Sequence, residues 1–481
     1  TSVKPYLQSW VDSCLKPAPA ANDRSRNLIY RKLRKEHLFL VDTTEFYLSI
    51  DPVFNFEAGL DAKDTSSKAN TTLLYRNTRG IIVQGNIGNK VSFLSSFYET
   101  QAFFPSYLND FVKEYSVVPG QGRTKSFKTT GYDYGIASGM LSVTPVKQFN
   151  IQLGHGKNFI GDGYRSLALS DNAFNYPFVK FTTKFWKIQY TNLYADFLNL
   201  NVELPTSTVT ERRFQRKPGS IHHLDFTVNK RISIGFFEET IWKASDKNAK
   251  GKYNNSDILS FINPVIFARP LQYGLRDENN VLIGANFKLK ATDTFSLYGQ
   301  AVLDDAKNNK YAYQLGFKAY DLFGVKNLHF QTEFNAVQPY MYTQADSTRN
   351  FAHYNQALAH PLGAAFAESF SVLDYSYKDF FAEIKVNYLV YKEDSLREYN
   401  YGKDIFKPDN NMGSSYLPAG GKNTTVLYQS LKIGFLVNPV TNMQILAGVI
   451  NRNEHNAYWS KNTLYYYISF RTSLENYYYD F

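Results

Sequence analysis

Along much of the chain, apolar and polar residues alternate one by one. Leu328, Phe330, Thr332, Phe334 and Ala336 interleave with His329, Gln331, Glu333 and Asn335. Val281, Ile283, Ala285, Phe287 and Leu289 do so with Gly284, Asn286, Lys288 and Lys290. Tyr311 to Ala319 and Ala382 to Tyr388 repeat the pattern. Successive side chains of a strand point to opposite faces, so a period of two predicts strands with one apolar and one polar face. The runs reach about nine residues or more, nearer the roughly 9–11 of a tilted membrane strand than the roughly 5–6 of a soluble one. Phe287, Phe317, Phe330 and Phe334 are expected to face lipid, and Lys288, Lys318 and Glu333 the lumen.

The connections alternate as well. Tight turns are expected at 88–90, 145–147, near Lys184, at Asn229-Lys230, at 291–293, 321–327, near Lys378 and at 438–441. Between them lie the stretches 61–78, 102–130, 155–177, 199–220, 243–278, 339–365 and 393–425, most of them long, with short loops at 304–309 and 453–462. Outer-membrane barrels have short periplasmic turns and longer outer loops. Eight turns and nine outer loops imply 18 strands. Sixteen stays open, because Glu368 and Asp374 fall on the otherwise apolar phase of 366–376. The expected fold is therefore all-β, a transmembrane antiparallel β-barrel over 45–481. Residues 1–44 precede it as a periplasmic arm, in which 23–40 is either a short basic amphipathic helix or an irregular segment. After Leu464 the alternation continues and the chain ends Tyr477-Tyr478-Tyr479-Asp480-Phe481. A closing strand with a terminal Phe resembles the signal read by the barrel-assembly machinery.

Composition sharpens this. Of 481 residues, 37 are Tyr and 38 Phe, yet the mean hydropathy is −0.38. No apolar run is long enough for a membrane helix. Aromatic interface belts with averaged hydropathy suit a membrane barrel, although a soluble propeller or sandwich shares the composition. The net charge of +10 comes without a basic, aromatic-interleaved cluster of the nucleic-acid kind. Lipopolysaccharide and acidic surface polysaccharide fit it as partners, besides outer-membrane lipid. Cys14, the only cysteine, excludes an internal disulfide. The first residues, TSVKPYLQSW, show no signal peptide, so the processed form of an exported, outer-membrane protein is expected.

Catalytic motifs such as G-x-S-x-G and H-E-x-x-H do not occur, and no cofactor or metal site is expected. His222 and His223 point to opposite faces of a strand and cannot easily chelate one ion. The unusual stretch is GHGKNFIGDGYRSLALSDNAFNYP, residues 154–177. Four glycines in its first ten residues allow tight turns and close backbone approach. His155, Lys157, Asn158, Asp162, Tyr164, Arg165, Asp171 and Asn172 combine rings, amides and charges. They suit either contact with an acidic glycan, through Lys157 and Arg165, or a structural plug in which Asp162 and Asp171 pair with those bases.

The same stretch resembles the signature of the Wzi-type capsule-assembly outer-membrane proteins as they occur in Bacteroidota, with gliding-motility members nearest. Asn77-Thr78-Arg79-Gly80, Glu99-Thr100-Gln101-Ala102, Val118-Pro119-Gly120-Gln121-Gly122 and residues 261–270, FINPVIFARP, add to the likeness. It covers roughly 28–280 and the tail. The resemblance implies an 18-stranded barrel that attaches surface polysaccharide or supports gliding. Membership of a larger export or motility complex, with machinery proteins as partners, and a diffusion porin are the other readings.

Overall fold

The computed structural model describes residues 2–6, 27–64, 73–204, 213–243, 260–275, 279–305, 310–393, 400–408, 422–472 and 477–481. Cys14 and most of 393–425 lie outside them.

Eighteen antiparallel strands close one barrel. In chain order they are β1 Phe46–Asp61, β2 Leu74–Ile87, β3 Val91–Ala102, β4 Gly131–Val146, β5 Phe149–Gly156, β6 Tyr176–Phe185, β7 Ile188–Leu204, β8 Arg213–Thr227 and β9 Ile232–Ile241. β10 Asn280–Lys290, β11 Phe295–Asp305, β12 Lys310–Ala319, β13 Leu328–Val337, β14 Phe366–Tyr377, β15 Phe380–Glu393, β16 Lys422–Asn438, β17 Met443–His455 and β18 Ser460–Arg471 complete the wall. All eight tight turns fall where the pattern put them and gather at one rim, the short-turn rim. Sixteen strands are excluded. The stretch 199–220 is not a long loop: β7 and β8 stay paired past a bulge to Leu204 and Arg213, which leaves only 205–212 between them.

The seam has an unusual build. β18 pairs with β1 only over Asn55–Asp61. The lower part of that β1 edge is taken by a local strand, Phe39–Asp42, which pairs with Tyr47–Ile50. This strand also shortens the N-terminal helix, expected over 23–40 and found as α1, Leu28–Arg34. The Asn27 side chain caps α1 by accepting the Ile29 N–H at 2.9 Å. Asp51 then takes the Leu38 N–H at 2.8 Å and turns the chain into the sheet. α1 lies at the short-turn rim, where Asn438 donates to the Lys32 and Glu36 carbonyls, each at 3.1 Å.

The expected faces hold in β10 to β13. Phe287 and Phe334 are exposed on the outer face, and Phe317 and Phe330 pack together on it at 5.8 Å. Glu333 is buried in the lumen. β14 explains the misfit at Glu368: Phe366, Glu368, Phe370 and Val372 all face inward and are buried. This strand's apolar phase meets packed protein inside the barrel, so its polarity is reversed.

That packed protein is a plug. Leu167, Ala168 and Leu169 of the 157–175 connection, together with Met341, Tyr342, Phe351 and Leu358 of the 338–365 connection, share one core with inward residues of the wall from β6 to β16. Both ends of the described chain join it. Residues 2–6, expected in the periplasmic arm, enter the lumen and pair as Val3–Lys4 with Phe159–Ile160. The tail is not part of a closing strand. β18 ends at Arg471, and residues 477–481 turn back inside, where Phe481 packs on Phe111 at 5.3 Å. The hydroxyls of Tyr477, Tyr478 and Tyr479 find partners there in Tyr98, Asp171 and Gln121, as buried phenols require.

Candidate functional site

The 157–175 connection can sit this tightly because two of its glycines carry the geometry. Gly161 has φ +146°, open in practice to glycine alone. A Cβ on Gly163 would lie 2.7 Å from the Arg165 carbonyl, Gln314 Oε1 and Glu333 Oε2. Glycine there lets the backbone reach the wall, where the N–H groups of Tyr164 and Arg165 donate to Glu333 at 2.7 and 2.9 Å.

Arg165 is the centre of the plug. Its guanidinium meets Asp480 at 2.8 Å and Glu368 at 3.3 Å, and Arg165 and Glu368 are 1% and 0% exposed. Asn387 donates to Glu368 and to the Asp480 carbonyl at 2.8 and 2.7 Å. Asn335 donates to the other Glu368 oxygen at 2.8 Å, and His360 Nε2 lies 2.7 Å from it. The Tyr164 ring stacks on Phe370 at 3.9 Å, and its hydroxyl donates to Asp480 at 2.5 Å. Burial works against the Asp480 charge, but Arg165 and Lys385 hold the carboxyl below its usual range. Burial likewise lowers His360, more than the neighbouring Glu368 raises it. A charge cluster this deep stabilises only while complete, because removing one member strands the others in a low-dielectric interior.

A second cluster holds the N-terminal residues. Asp162 accepts from Ser2 Oγ at 2.8 Å and from Lys288 at 2.9 Å. The Ser2 N–H donates to Asp225 at 3.0 Å, and Asn286 donates to Ser2 Oγ at 2.7 Å. Lys288, Ser2 and Lys318 outweigh the burial of Asp162 and keep its pKa below normal.

The remaining expected residues are spread across the plug. Asn158 accepts from Lys180 at 3.0 Å, and Asn172 donates to the Ala357 carbonyl at 2.7 Å. Asp171 accepts from Tyr478 at 2.7 Å. Lys157 donates to the Gly120 carbonyl at 2.7 Å and lies 5.4 Å from the centre of the Tyr477 ring. His155 stands on the same face of β5 as the exposed Leu153, beside Phe174. In place of the anticipated Asp162 and Asp171, Arg165 thus takes Glu368 of the wall and Asp480 of the tail, and Lys157 takes the Gly120 carbonyl of the 103–130 connection.

Sequence reasoning missed Ser2, Asp225, Glu333 as a plug acceptor, His353, His360, Glu368 and Asp480. Glu368 alone gave a signal, as an acid on an apolar phase. His353 is fully buried and neutral. The Leu198 N–H donates to its Nδ1 at 2.9 Å, so Nε2 carries the proton given to the Asn175 carbonyl at 3.1 Å. Burial lowers its pKa to about 3. His222 and His223 do lie on opposite faces, with Asn192 and Asn286 as separate partners. Among the described residues no group of three or more His, Cys, Asp or Glu is arranged to hold a metal ion.

The fold has counterparts among solved structures. The chain is similar to Wzi of Escherichia coli, described as an outer membrane protein involved in group 1 capsule assembly and a carbohydrate-binding β-barrel. The TM-score is 0.56 at 13% identity, covering 98% of this chain and 94% of that one. Pseudomonas aeruginosa OpdK with vanillate follows at TM-score 0.47, 8% identity and coverage of 88% and 98%. Acinetobacter baumannii OccAB2 matches at 0.44, 10%, 88% and 97%. No protein-family model and no curated protein sequence matches. The chain is therefore a Wzi-like, outer-membrane-type β-barrel in fold.

Proposed function

We propose that the protein is an outer-membrane barrel that does not conduct and does not catalyse, but binds surface polysaccharide at its long-loop mouth. The observation that carries this reading is the plug. Two connections and both ends of the described chain fill the lumen and are fastened by buried charge clusters. Such a barrel serves as a rigid platform for its outer surface, and the reading as a diffusion porin loses its open path. The likeness in fold to a carbohydrate-binding barrel supports the same view. Within the plug, Asn158, Asp162, Arg165 and Asn172 are buried, and we assign them to holding it. Lys157 and His155 are only half-buried and are the ligand-contact candidates, whereas the half-buried Tyr164 and Asp171 bond Asp480 and Tyr478 and are assigned to holding the plug as well. Lys157 offers positive charge near an aromatic ring, where a partly dehydrated setting strengthens attraction to an acidic sugar.

Two measurements test this. In planar bilayers the purified protein gives no large steady conductance. Co-sedimentation with an acidic capsular polysaccharide retains the wild-type protein and loses Lys157→Ala, which keeps its heat-modifiable folded form on gels. Steady channels, or equal retention of both proteins, contradict the proposal.

A further inference from the structure

The stretch FINPVIFARP is not absorbed by the plug. It lies on the other side of the wall. On β7 to β9, Leu193, Phe197, Ile221 and Phe237 point inward into the plug core. Asn192, His222 and Glu238, on the opposite phase, point outward, and Phe236 on that phase is exposed. Yet Glu238 is only 3% exposed, because residues 260–275 fold down over it. Glu238 accepts the Phe267 N–H at 2.5 Å. Tyr194 donates to the Ile262 carbonyl at 3.1 Å, and Tyr190 to the Pro264 carbonyl. Phe261 packs edge-on against Tyr194 at 5.5 Å and Trp242 at 6.0 Å.

We propose that residues 260–275 form a strap embedded among the lipid acyl chains, on the outside of the barrel. The inference rests on reading the protein as a membrane barrel. A tilted strand gains roughly 2.5 Å of height per residue. Tyr190 is the third residue of β7, and Tyr194 and Glu238 are the seventh of β7 and β9. The strap's anchors therefore stand roughly 8 to 18 Å above the short-turn rim, within the about 25 Å lipid-facing band. Irregular backbone at that depth needs its polar groups satisfied, and the strap is built accordingly. Pro264 and Pro270 have no N–H to satisfy. Tyr190, Tyr194 and Glu238 take backbone groups from the wall side. Asn263 accepts the Val265 N–H at 3.1 Å, and α2, Ala268–Tyr273, bonds its own turn. The exposed side chains are the apolar Ile262, Pro264, Val265, Leu271 and Tyr273, with Leu271 86% exposed, and the uncharged polar Ser260, Asn263 and Gln272. Arg269 is the one charged residue of 260–275. It lies over Trp242 at 4.5 Å, beyond the long-loop end of β9, where a cation reaches the headgroups.

The test uses the 481-residue chain with Cys14→Ser and a single cysteine carrying an environment-sensitive fluorophore, reconstituted into phosphatidylcholine vesicles. Probes sit at Leu271→Cys and Val265→Cys, and at Ile433→Cys on the opposite wall. Nitroxide-labelled acyl chains report lipid contact, and iodide reports water. The expected result is blue-shifted emission at all three positions, loss of intensity to nitroxide and little loss to iodide. Quenching by iodide at 265 and 271, or protection there from both quenchers, overturns the strap while Ile433→Cys stays lipid-quenched. Iodide quenching at Ile433→Cys overturns the membrane reading itself. Should one strap variant not fold, the other carries the result.

Discussion

The wall of β15 to β17 and the wall of β7 to β9 use the same alternation against different neighbours. On β15 to β17, Ile384, Val386, Ile433 and Ile445 are exposed on the outer face. The inner face carries Glu383, Lys385 and Lys432, linked by ion pairs. On β7 to β9 Leu193, Phe197, Ile221 and Phe237 face inward against the plug, with the polar His223, Asp225 and Glu239 between them, and Asn192, His222 and Glu238 are outside, beneath the strap. The barrel closes alike in both regions, since backbone pairing ignores which face is apolar. What differs is the neighbour each face meets: lipid and lumen in one case, packed protein on both sides in the other.

The contrast can be broken by mutation, most severely in the plug. Arg165→Ala leaves Glu368 and Asp480 without their buried cation and is expected to cost about 3–5 kcal/mol. Lys432→Ala, which removes one partner of a lumen ion pair partly in water, lies nearer about 1 kcal/mol. Urea unfolding in detergent separates the two, and equal costs contradict the distinction. Next comes Ile433→Arg, which puts a charge against lipid and is expected to cost about 2–4 kcal/mol. His222→Asn, five residues from the short-turn end of its own strand as Ile433 is of β16, should cost only about 1 kcal/mol. Assembly yield into membranes reads this difference.

A pH series sharpens the same point. His353 stays neutral in the fold down to about pH 3, whereas the unfolded histidine takes up a proton near its ordinary 6.5. Between those values the unfolded state binds more protons, so stability falls as pH drops below 6.5, by up to about 1.4 kcal/mol per pH unit. His353→Gln flattens that slope, and an unchanged slope assigns it to another group. The smallest effect belongs to the strap: Tyr194→Phe removes one hydroxyl bond, worth about 1 kcal/mol. It should raise amide exchange in 260–275 and leave β15 to β17 unchanged.

How much of this is legible in the sequence follows from which interactions are local. The turns at Gly88, Asn229 and Asn438 are written in a few adjacent residues, and strand order follows from them. Facing is not local. Glu368 looked misplaced because the sequence does not reveal that Tyr164 and Arg165 stand opposite it. The 154–177 stretch announced itself by its glycines, yet Arg165's partners come from 203 and 315 positions away. The strap read as an outer loop, since nothing in FINPVIFARP marks the tyrosines of β7 as its acceptors' donors.

The divided edge of β1 bears on how the cylinder comes to be closed. Seven pairs join β18 to β1, across about 410 positions of chain, and each must wait for every other strand to be in place. The Phe39–Asp42 strand completes the rest of that edge by a hairpin a few residues long, which forms on its own timescale at small entropic cost. The long-range part of the seam is therefore a short zipper rather than a full strand, and the hairpin is expected to occupy the lower edge before that zipper closes. Lengthening the link between residues 42 and 46 should delay closure in a refolding time course while leaving the finished barrel nearly as stable.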